Sequence, residues 1–326
     1  MATFKKIVIE NYKHMKKGLM IALLVFVVKS TFGQQFTDLC GDYLGQTPPG
    51  DTPVIFAADI ISKGTMEHSA AIFSSDGNEV YWASIENSSG SSKLSTWFMT
   101  RINNRWTRPA VLHLWGDNID CFDPFLSADG KRLYVAADYK GSPNIWYADK
   151  QDKGWSKAQS LSPIINNSVS GQCQATFTQN GTAYYIDYEI IEKKWTCNIL
   201  TSKCEKGKYL RPDTLPTSIN SISSEDWTPY IARDDSYLIF ASKRKDTSDP
   251  CDLYISFHDT IKDKWSEPIN MGEPINTWTQ ETFPTVSPDG KYLFFTRWSN
   301  DINDMDIYWV SAKIIDRLRE KSKTKK

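Results

Sequence analysis

Carboxylate and amide side chains recur at one phase of a repeated pattern in this chain of 326 residues. A Ser-x-Asp-Gly-like turn recurs along the chain, and an apolar residue precedes each copy. Each of these polar side chains lies three to six residues before that apolar residue. The set consists of Glu67 and His68, Asp120 and Asp123, Gln172, Glu225 and Asp226, and Gln280 and Glu281. Paired carboxylates can act as general acid and base in glycoside hydrolysis, which requires separations of about 5 to 9 Å. The same groups can instead bind a polar ligand or accept hydrogen bonds from backbone N–H groups at strand starts.

Basic and aromatic side chains occur near the same phase. Arg244, Arg297 and Trp298 lie where the second strand of their repeats leads into the third. Trp227 directly follows Asp226, and Trp278 lies three residues before Glu281. This mixture favours a concave site for a sugar, a peptide end or a cation. A structural interpretation stays open, in which the acids join neighbouring repeats and His68 is a structural histidine rather than a base. No residue is assigned a catalytic role. We expect no cofactor or metal, because no Gly-rich phosphate loop, H-E-x-x-H motif or calcium loop is present.

The turn that follows these residues occurs five times, at intervals of 53, 51, 54 and 55 residues. The copies begin at Phe73, Leu126, Phe177, Ile231 and Val286. An Asp-Gly pair between β-rich segments predicts a hairpin whose turn residues both tolerate positive φ. Asp235 replaces the glycine of the fourth copy, and Asp adopts that conformation more readily than most residues.

Each turn precedes a strand with two-residue alternation, a third strand such as Asp306-Ile-Tyr308, and an outer strand marked by W-x-x-P, as at 265–268. The body of the chain lacks a sustained helical period. Four strands at a period near 50 residues are typical of a propeller blade. We therefore predict an all-β fold, a single five-bladed β-propeller of four-stranded antiparallel blades over 53–312.

The fifth repeat lacks its outer strand, whereas residues 52–61 form a strand-like segment ahead of the first repeat. We expect this N-terminal strand to close the ring. Residues near Val54 to Ile60 should then pair with the strand around Asp306 to Ser311. Ile60-Ile-Ser62 also matches the Ile-Asn pairs at 165–166, 219–220 and 275–276 in phase.

The combination of S-x-D-G turn, Tyr-rich strand, D-I-Y/W strand and W-x-x-P strand resembles the TolB-like, WD-repeat-like β-propeller family. Val286–Phe295 together with Asp306–Tyr308 is the copy most similar to it, and the resemblance covers roughly 53–312. The resemblance implies a binding or scaffold ring. No counterpart of the additional N-terminal domain of TolB is present, so a partnership with Tol–Pal components is not implied.

The N-terminus has the order of a secretory signal peptide over 1–33. Lys16 and Lys17 precede the apolar segment Leu19–Val28, which is followed by small residues. That segment is short for a membrane span of about 20 residues, so we expect no stable span after its removal, although an uncleaved anchor remains an alternative. A leader of 34–52 follows. We expect a periplasmic or secreted protein.

The charge is divided along the chain. Residues 34–312 carry 25 basic and 36 acidic side chains, and the tail 313–326 carries seven basic and two acidic ones. An acidic body argues against nucleic acid as a partner. The basic tail is expected either to touch an anionic surface or to form a short helix on solvent.

Six cysteines lie in the exported part, where disulfides are permitted. Cys121 with Cys173, and Cys197 with Cys251, occupy matched positions on neighbouring repeats and are candidate pairs. No CxxC pair occurs, which argues against a zinc site.

The sequence favours an exported, non-catalytic propeller that binds a protein or a glycan in the cell envelope. A G-x-S-x-G elbow is absent, so a serine hydrolase is not expected. The alternative is a five-bladed enzyme similar to glycoside hydrolases that uses the repeated carboxylates. It predicts two or three carboxylates in one deep pocket, one with a raised pKa.

Overall fold

A computed structural model of the chain describes residues 39–324, apart from 89–90, 116–118, 139–142, 168–169, 192–193, 222–224, 245–249 and 300–303. The predicted signal segment lies outside the described residues. Within them the chain forms a five-bladed β-propeller of small antiparallel sheets, which confirms the predicted fold class. The core lies between the blades, where large apolar side chains of the middle strands are fully buried.

The strands follow the predicted order in each blade, after a first short strand β1 (Val54–Ile55). Blade 1 contains β2 (Ile72–Phe73), β3 (Glu79–Ser88), β4 (Ser91–Ile102), β5 (Arg105–Trp106) and β6 (Ala110–Val111). Blade 2 contains β7 (Cys121–Leu126), β8 (Arg132–Asp138), β9 (Pro143–Asp149) and β10 (Gln159–Ser160). Blade 3 contains β11 (Gly171–Phe177), β12 (Ala183–Ile191), β13 (Lys194–Ser202), β14 (Cys204–Glu205), β15 (Lys208–Tyr209) and β16 (Asp213–Thr214). Blade 4 contains β17 (Asp226–Ile231), β18 (Tyr237–Ser242), β19 (Asp252–Asp259), β20 (Lys264–Trp265) and β21 (Ile269–Asn270). Blade 5 contains β22 (Glu281–Val286), β23 (Tyr292–Trp298) and β24 (Met305–Ser311).

The repeated turn joins the innermost strand of each blade to the next strand. Ser74 Oγ donates to Asp76 Oδ1 (2.6 Å) and accepts the N–H of Glu79 (2.9 Å), while the N–H of Gly77 donates to the Ser74 carbonyl (2.9 Å). Gly77 has a φ of 68°, and Asp235 at the same position of blade 4 has a φ of 63°. The preceding Asp76 has no positive φ. The expectation that both turn residues are left-handed was therefore wrong, because only the residue that closes the turn needs that conformation.

The outer strands lie one step later than the W-x-x-P motif predicted. The aromatic residue of the motif pairs with the end of the third strand in a short hairpin, as Trp106 does with Arg101 and Trp265 with His258. The two-residue outer strand begins directly after the proline, at Ala110 and Ile269. Proline fits this edge because its missing N–H costs the sheet no ladder bond.

The ring is closed as predicted. Val54 and Ile55 of β1 pair antiparallel with Trp309 and Tyr308 of β24, and the N–H of Phe56 donates to the Ile307 carbonyl (2.7 Å). The first strand of the ring therefore completes its last blade.

One polar side chain braces the third strand of each of four blades. Asn166, Asn220 and Asn276 each accept from and donate to the backbone of one third-strand residue, at distances of 2.8 to 2.9 Å. Ser62 accepts the N–H of Ile307 in blade 5 (3.1 Å). The matching phase of the Ile-Asn and Ile-Ser pairs in the sequence thus has a physical cause.

Both ends of the described chain pack on the ring. A 3-10 turn (Asp42–Gly45) inserts Tyr43 among Phe73, Tyr292 and Trp309, at ring separations of 5.0 to 5.7 Å. The tail forms a helix, α1 (Lys313–Thr324), which buries Ile315 and Leu318 against the core. No helix among the described residues has both the length and the apolar character needed to cross a membrane.

All six cysteines are free thiols. Neither proposed disulfide, Cys121–Cys173 or Cys197–Cys251, is formed. Cys251 instead accepts a hydrogen bond from Trp227 Nε1 (2.9 Å), and the thiol of Cys197 donates to the Asp226 carbonyl (3.4 Å).

Candidate functional site

The innermost strands of the blades surround a central channel, and four of them share a bulge at the same point. Asp123, Gln174, Thr228 and Phe283 have φ values of 50°, 53°, 46° and 50°. The strand registers shift at these residues. A left-handed conformation is rare outside glycine and costs on the order of 1 to 3 kcal/mol, and such strain concentrates at functional sites.

The bulged residues are linked from blade to blade. Asp123 Oδ2 accepts the N–H of Gln174 (3.2 Å), and Gln174 Oε1 accepts the N–H of Thr228 (2.8 Å). The bulge thus turns the side chains of Asp123 and Gln174 toward the backbone of the next blade. These bonds form part of a ring around the channel.

The channel itself is narrow. Its walls include Asp123, Gln174, Thr228, Phe283 and the prolines that follow three of these residues, and they leave room of about 40 Å³ for water-sized molecules. By the same measure one water needs about 10 to 15 Å³, so the channel has room for only a few waters. A sugar ring or peptide therefore cannot enter the channel and can only meet its mouth.

His68 and Asp123 face one another at this mouth. His68 Nδ1 lies 3.8 Å from Asp123 Oδ1, and its ring lies 4.9 Å from that of Phe283. Both atoms are buried and lack a hydrogen-bond partner among the described residues, as does Thr228 Oγ1. Burial raises the pKa of Asp123 to about 8 and lowers the pKa of His68 below its usual value. At neutral pH the pair therefore consists of a carboxylic acid and a neutral imidazole.

Asp226 and Glu281 each form an ion pair with an arginine that is partly exposed. Arg244 Nη2 donates to Asp226 Oδ1 and Arg297 Nε to Glu281 Oε1, both at 2.8 Å, and the carboxylates are 1% and 0% exposed. Each arginine also donates to carbonyls of the turn that enters its blade, including those of residues 219 and 275. These two pairs clamp the start of the innermost strand to the preceding turn. They are structural groups rather than a free acid and base.

Gln172 holds the same place in blade 3. Its Nε2 donates to Asp187 Oδ1 (2.6 Å) and to Ser170 Oγ (2.9 Å), while its buried Oε1 has no partner among the described residues. As in the arginine clamps, a side-chain hydrogen bond joins the innermost strand to the second strand of the same blade, or to the residues just past its end. Here the carboxylate is on the second strand and a neutral amide donor is on the innermost strand.

Glu67 occupies blade 1 in a different way. Its Oε1 accepts from Thr65 Oγ1 (2.7 Å) and lies 3.4 Å from Ser84 Oγ, while Oε2 has no partner among the described residues. The side chain is 0% exposed. Burial, assisted by the charges of Asp306 and Asp304, raises the pKa of Glu67 to about 8.

The remaining predicted residues lie apart from this pair. Asp120 is half-exposed and forms an ion pair with Lys93 (3.5 Å). Trp227 is partly buried against Cys251, and the buried Nε1 of Trp298 lacks a partner among the described residues. Trp278 is 73% exposed. The structure therefore brings His68 and Asp123 together at the channel and distributes most other candidates over separate clamps.

The bulged residues Gln174, Thr228 and Phe283 were missed from the sequence. A signal for three of the four bulges is present, since Pro124, Pro229 and Pro284 directly follow a bulged residue. Proline inside a strand is found at bulges because it cannot donate to a regular ladder. No group of three or more His, Cys, Asp or Glu side chains in the described part of the chain is arranged to hold a metal ion.

No protein-family model matches the chain, and no curated protein matches it in sequence. Many solved structures match in three dimensions. One match is a GH130-family protein from work on glycoside hydrolases that target β-1,2 mannosidic linkages in Candida mannan. It is 12% identical to this chain with a TM-score of 0.52, and the match covers 82% of this chain and 96% of that protein. The endo-arabinase from Bacteroides thetaiotaomicron is 12% identical with a TM-score of 0.50, covering 82% and 97%. TolB structures are also present, as the resemblance in sequence predicted: putative TolB from Agrobacterium tumefaciens is 15% identical with a TM-score of 0.48, covering 74% and 76%. At these identities the likeness shows the fold alone.

Proposed function

We propose that this chain is an exported, non-catalytic β-propeller that binds a glycan or protein of the cell envelope at the channel mouth. The observation that carries the proposal is the pair His68 Nδ1 and Asp123 Oδ1, 3.8 Å apart, which have no hydrogen-bond partner among the described residues although the His68 side chain is 30% exposed. Unsatisfied buried polar groups are costly, and a ligand that pairs with them recovers that cost.

The protonation state of the pair selects the ligand group. Because the pKa of Asp123 is raised to about 8, its carboxyl donates a hydrogen bond at neutral pH. The unprotonated nitrogen of neutral His68 accepts one. A hydroxyl group both donates and accepts, so it satisfies both partners at once. Sugar hydroxyls and the side chains of Ser and Thr provide this group.

The ion pairs of Asp226 and Glu281 with arginines support binding over catalysis. Asp226 and Glu281 are each neutralised by an arginine and closed from solvent. Neither can take up or release a proton during a reaction without breaking its clamp. Export and an envelope location rest on the signal-peptide pattern of 1–33.

A glycoside hydrolase-like activity is the second candidate, favoured by the raised pKa values of Glu67 and Asp123, both about 8. A raised carboxyl pKa is what a general acid requires. The two proposals differ in what Asp123→Asn should do. Asparagine mimics the protonated carboxyl, so binding is retained, whereas it cannot transfer a proton, so catalysis is lost.

The experiment is a glycan array probed with chain purified from cells that express the full-length gene, followed by affinity and product analysis on the glycans that bind. His68→Phe keeps the ring packing and removes the acceptor, so we expect about tenfold weaker binding. Asp123→Asn should bind as the native chain does at neutral pH and should keep binding at pH 9, where native Asp123 is ionised. Asp120→Asn, on the exposed ion pair beside it, is the matched control and should behave as native.

Unchanged affinity in His68→Phe would contradict binding at this pair. Release of a cleaved sugar by the native chain that Asp123→Asn abolishes would establish the enzyme instead.

A further inference from the structure

The face of the ring opposite the channel mouth carries grooves between neighbouring blades, beside the repeated turns. Three of the five grooves are covered by the chain itself. The C-terminal helix α1 covers the groove of blades 4 and 5, where Arg319 stacks on Tyr237 and Phe257. Tyr43 fills the groove of blades 5 and 1. Between blades 1 and 2, Trp155 Nε1 donates to the hydroxyl of Tyr81 (3.2 Å).

The groove between blades 2 and 3 is open. It has a volume of about 670 Å³, within the usual range for small-molecule sites. Its floor is the stacked pair Tyr134 and Phe177, whose rings lie 3.7 Å apart. Its polar wall contains three cations, Lys131, Arg132 and Arg233.

The carboxylates of the groove are already engaged. Asp129 accepts from Ser127 Oγ (2.7 Å) and from the N–H of Lys131 (3.0 Å) within its own turn. Asp149 accepts from Arg132 Nε (2.7 Å) and Nη2 (3.2 Å). Asp149 is thus paired with Arg132 and Asp129 is held within its own turn, and the three cations of the groove outnumber its two acids.

Arg233 reaches this groove from blade 4. Its Nη1 lies 3.5 Å from the carbonyl of Ala128 in blade 2, and its own carbonyl accepts the N–H of Gln179 in blade 3 (2.7 Å). No carboxylate among the described residues lies within ion-pairing distance of its guanidinium. A half-buried guanidinium with five donors and one long contact is poorly satisfied by the protein alone.

We propose that the groove between blades 2 and 3 binds an oxyanion, a carboxylate or a phosphoryl group of a ligand, through Arg233 with support from Lys131. The guanidinium fork matches the geometry of either group, and Lys131 adds charge at the rim. The open groove between blades 3 and 4 provides an internal contrast. Its acids, Glu205, Asp213, Asp235 and Asp263, outnumber its one lysine, Lys203, so its charge disfavours an anion. This site lies on the other face from the proposed envelope-binding mouth and is independent of it.

The test uses chain purified from cells that express the full-length gene, titrated with inorganic phosphate and with acetate against chloride at constant ionic strength. Calorimetry and the thermal midpoint report binding. We expect phosphate or acetate to raise the midpoint above the chloride value, and Arg233→Gln to weaken the affinity about tenfold or more. Arg233→Lys should be intermediate because it keeps the charge and loses the fork. Arg211→Gln, at an exposed arginine outside the groove, is the control for net charge.

Equal anion effects in native chain, Arg233→Gln and Arg211→Gln would overturn the proposal, as would no anion effect in the native chain. A second measurement requires no variant. Phenylglyoxal modifies accessible arginines, and phosphate should protect Arg233 several-fold more than Arg211 when the sites are read by mass spectrometry. Equal protection of the two would also overturn it. A preference for acetate would identify a carboxylate ligand, and a preference for phosphate a phosphoryl ligand.

Discussion

Replacing Arg297 by methionine removes the cation that faces the fully buried carboxylate of Glu281. Arg297 Nε donates to Glu281 Oε1 (2.8 Å) and its Nη2 donates to the carbonyl of Ile275 (2.8 Å). Thr277 supplies the other two hydrogen bonds to the carboxylate, through its hydroxyl and its N–H (3.2 Å). The variant therefore leaves a buried charge with neutral donors alone.

Breaking a buried ion pair from one side costs about 3 to 5 kcal/mol, because the remaining charge is desolvated without compensation. We expect Arg297→Met to lower the free energy of unfolding by that amount. Burial already raises the pKa of Glu281 against the opposing effects of Thr277 and Arg297, and the loss of the arginine raises it further. A buried carboxyl with a raised folded-state pKa destabilises the fold least when it is protonated. The difference in unfolding free energy between the native chain and Arg297→Met should therefore shrink as the pH falls from 8 to 5.

Urea unfolding followed by tryptophan fluorescence measures the effect at both pH values. Glu281→Gln combined with Arg297→Met removes both charges and should recover much of the loss. The control is Arg317→Met, which breaks the exposed ion pair with Asp51 and should leave the midpoint unchanged. A deficit in Arg297→Met no larger than in Arg317→Met, or one that grows at low pH, would refute a buried clamp.

Two further perturbations test other parts of the ring. Because the folded-state pKa of Glu67 is about 8, the native chain should lose stability as the pH rises from about 4.5 to 8, whereas Glu67→Gln should lose less over that interval in the same unfolding assay. An equal slope in both chains would contradict a buried, protonated Glu67. Asn276→Ala leaves the N–H and carbonyl of Leu253 without their side-chain partner, so we expect a loss of about 1 to 3 kcal/mol in the free energy of unfolding. Gln151→Ala, at an exposed amide with no side-chain hydrogen bond to a described residue, serves as the comparison, and a loss at 276 no larger than at 151 would argue against the brace.

Much of the ring could be predicted from the sequence because each blade repeats the same turn and strand motifs. The turns, the alternation of the second strand and the unbalanced count of outer strands fixed the number of blades and the pairing of Val54 with Trp309. The exact form of the turn was not predicted, since an Asp-Gly pair is compatible with more than one hairpin geometry.

The site was less predictable than the ring. The phase of the repeat places Asp226 and Glu281 at the first residues of β17 and β22, and Glu67 five residues ahead of β2. The repeat could not show that Asp226 and Glu281 form ion pairs with Arg244 and Arg297. Those partners lie 18 and 16 residues later in the chain, at or just past the end of the next strand. Which buried polar atoms lack a hydrogen-bond partner depends on three-dimensional packing. Among the described residues, that criterion points to His68 and Asp123.

Closure of the ring by β1 sets a time order for folding. Val54 is made 255 residues before its partner Trp309. At synthesis rates of about 5 to 20 residues per second, the first strand waits roughly 10 to 50 s for the edge that completes it. During that interval four blades can form while the outer strand of the fifth stays unpaired and open to proteases and to foreign sheet edges. Blade 5 is therefore the last blade that can be completed, because it needs strands from both ends of the ring.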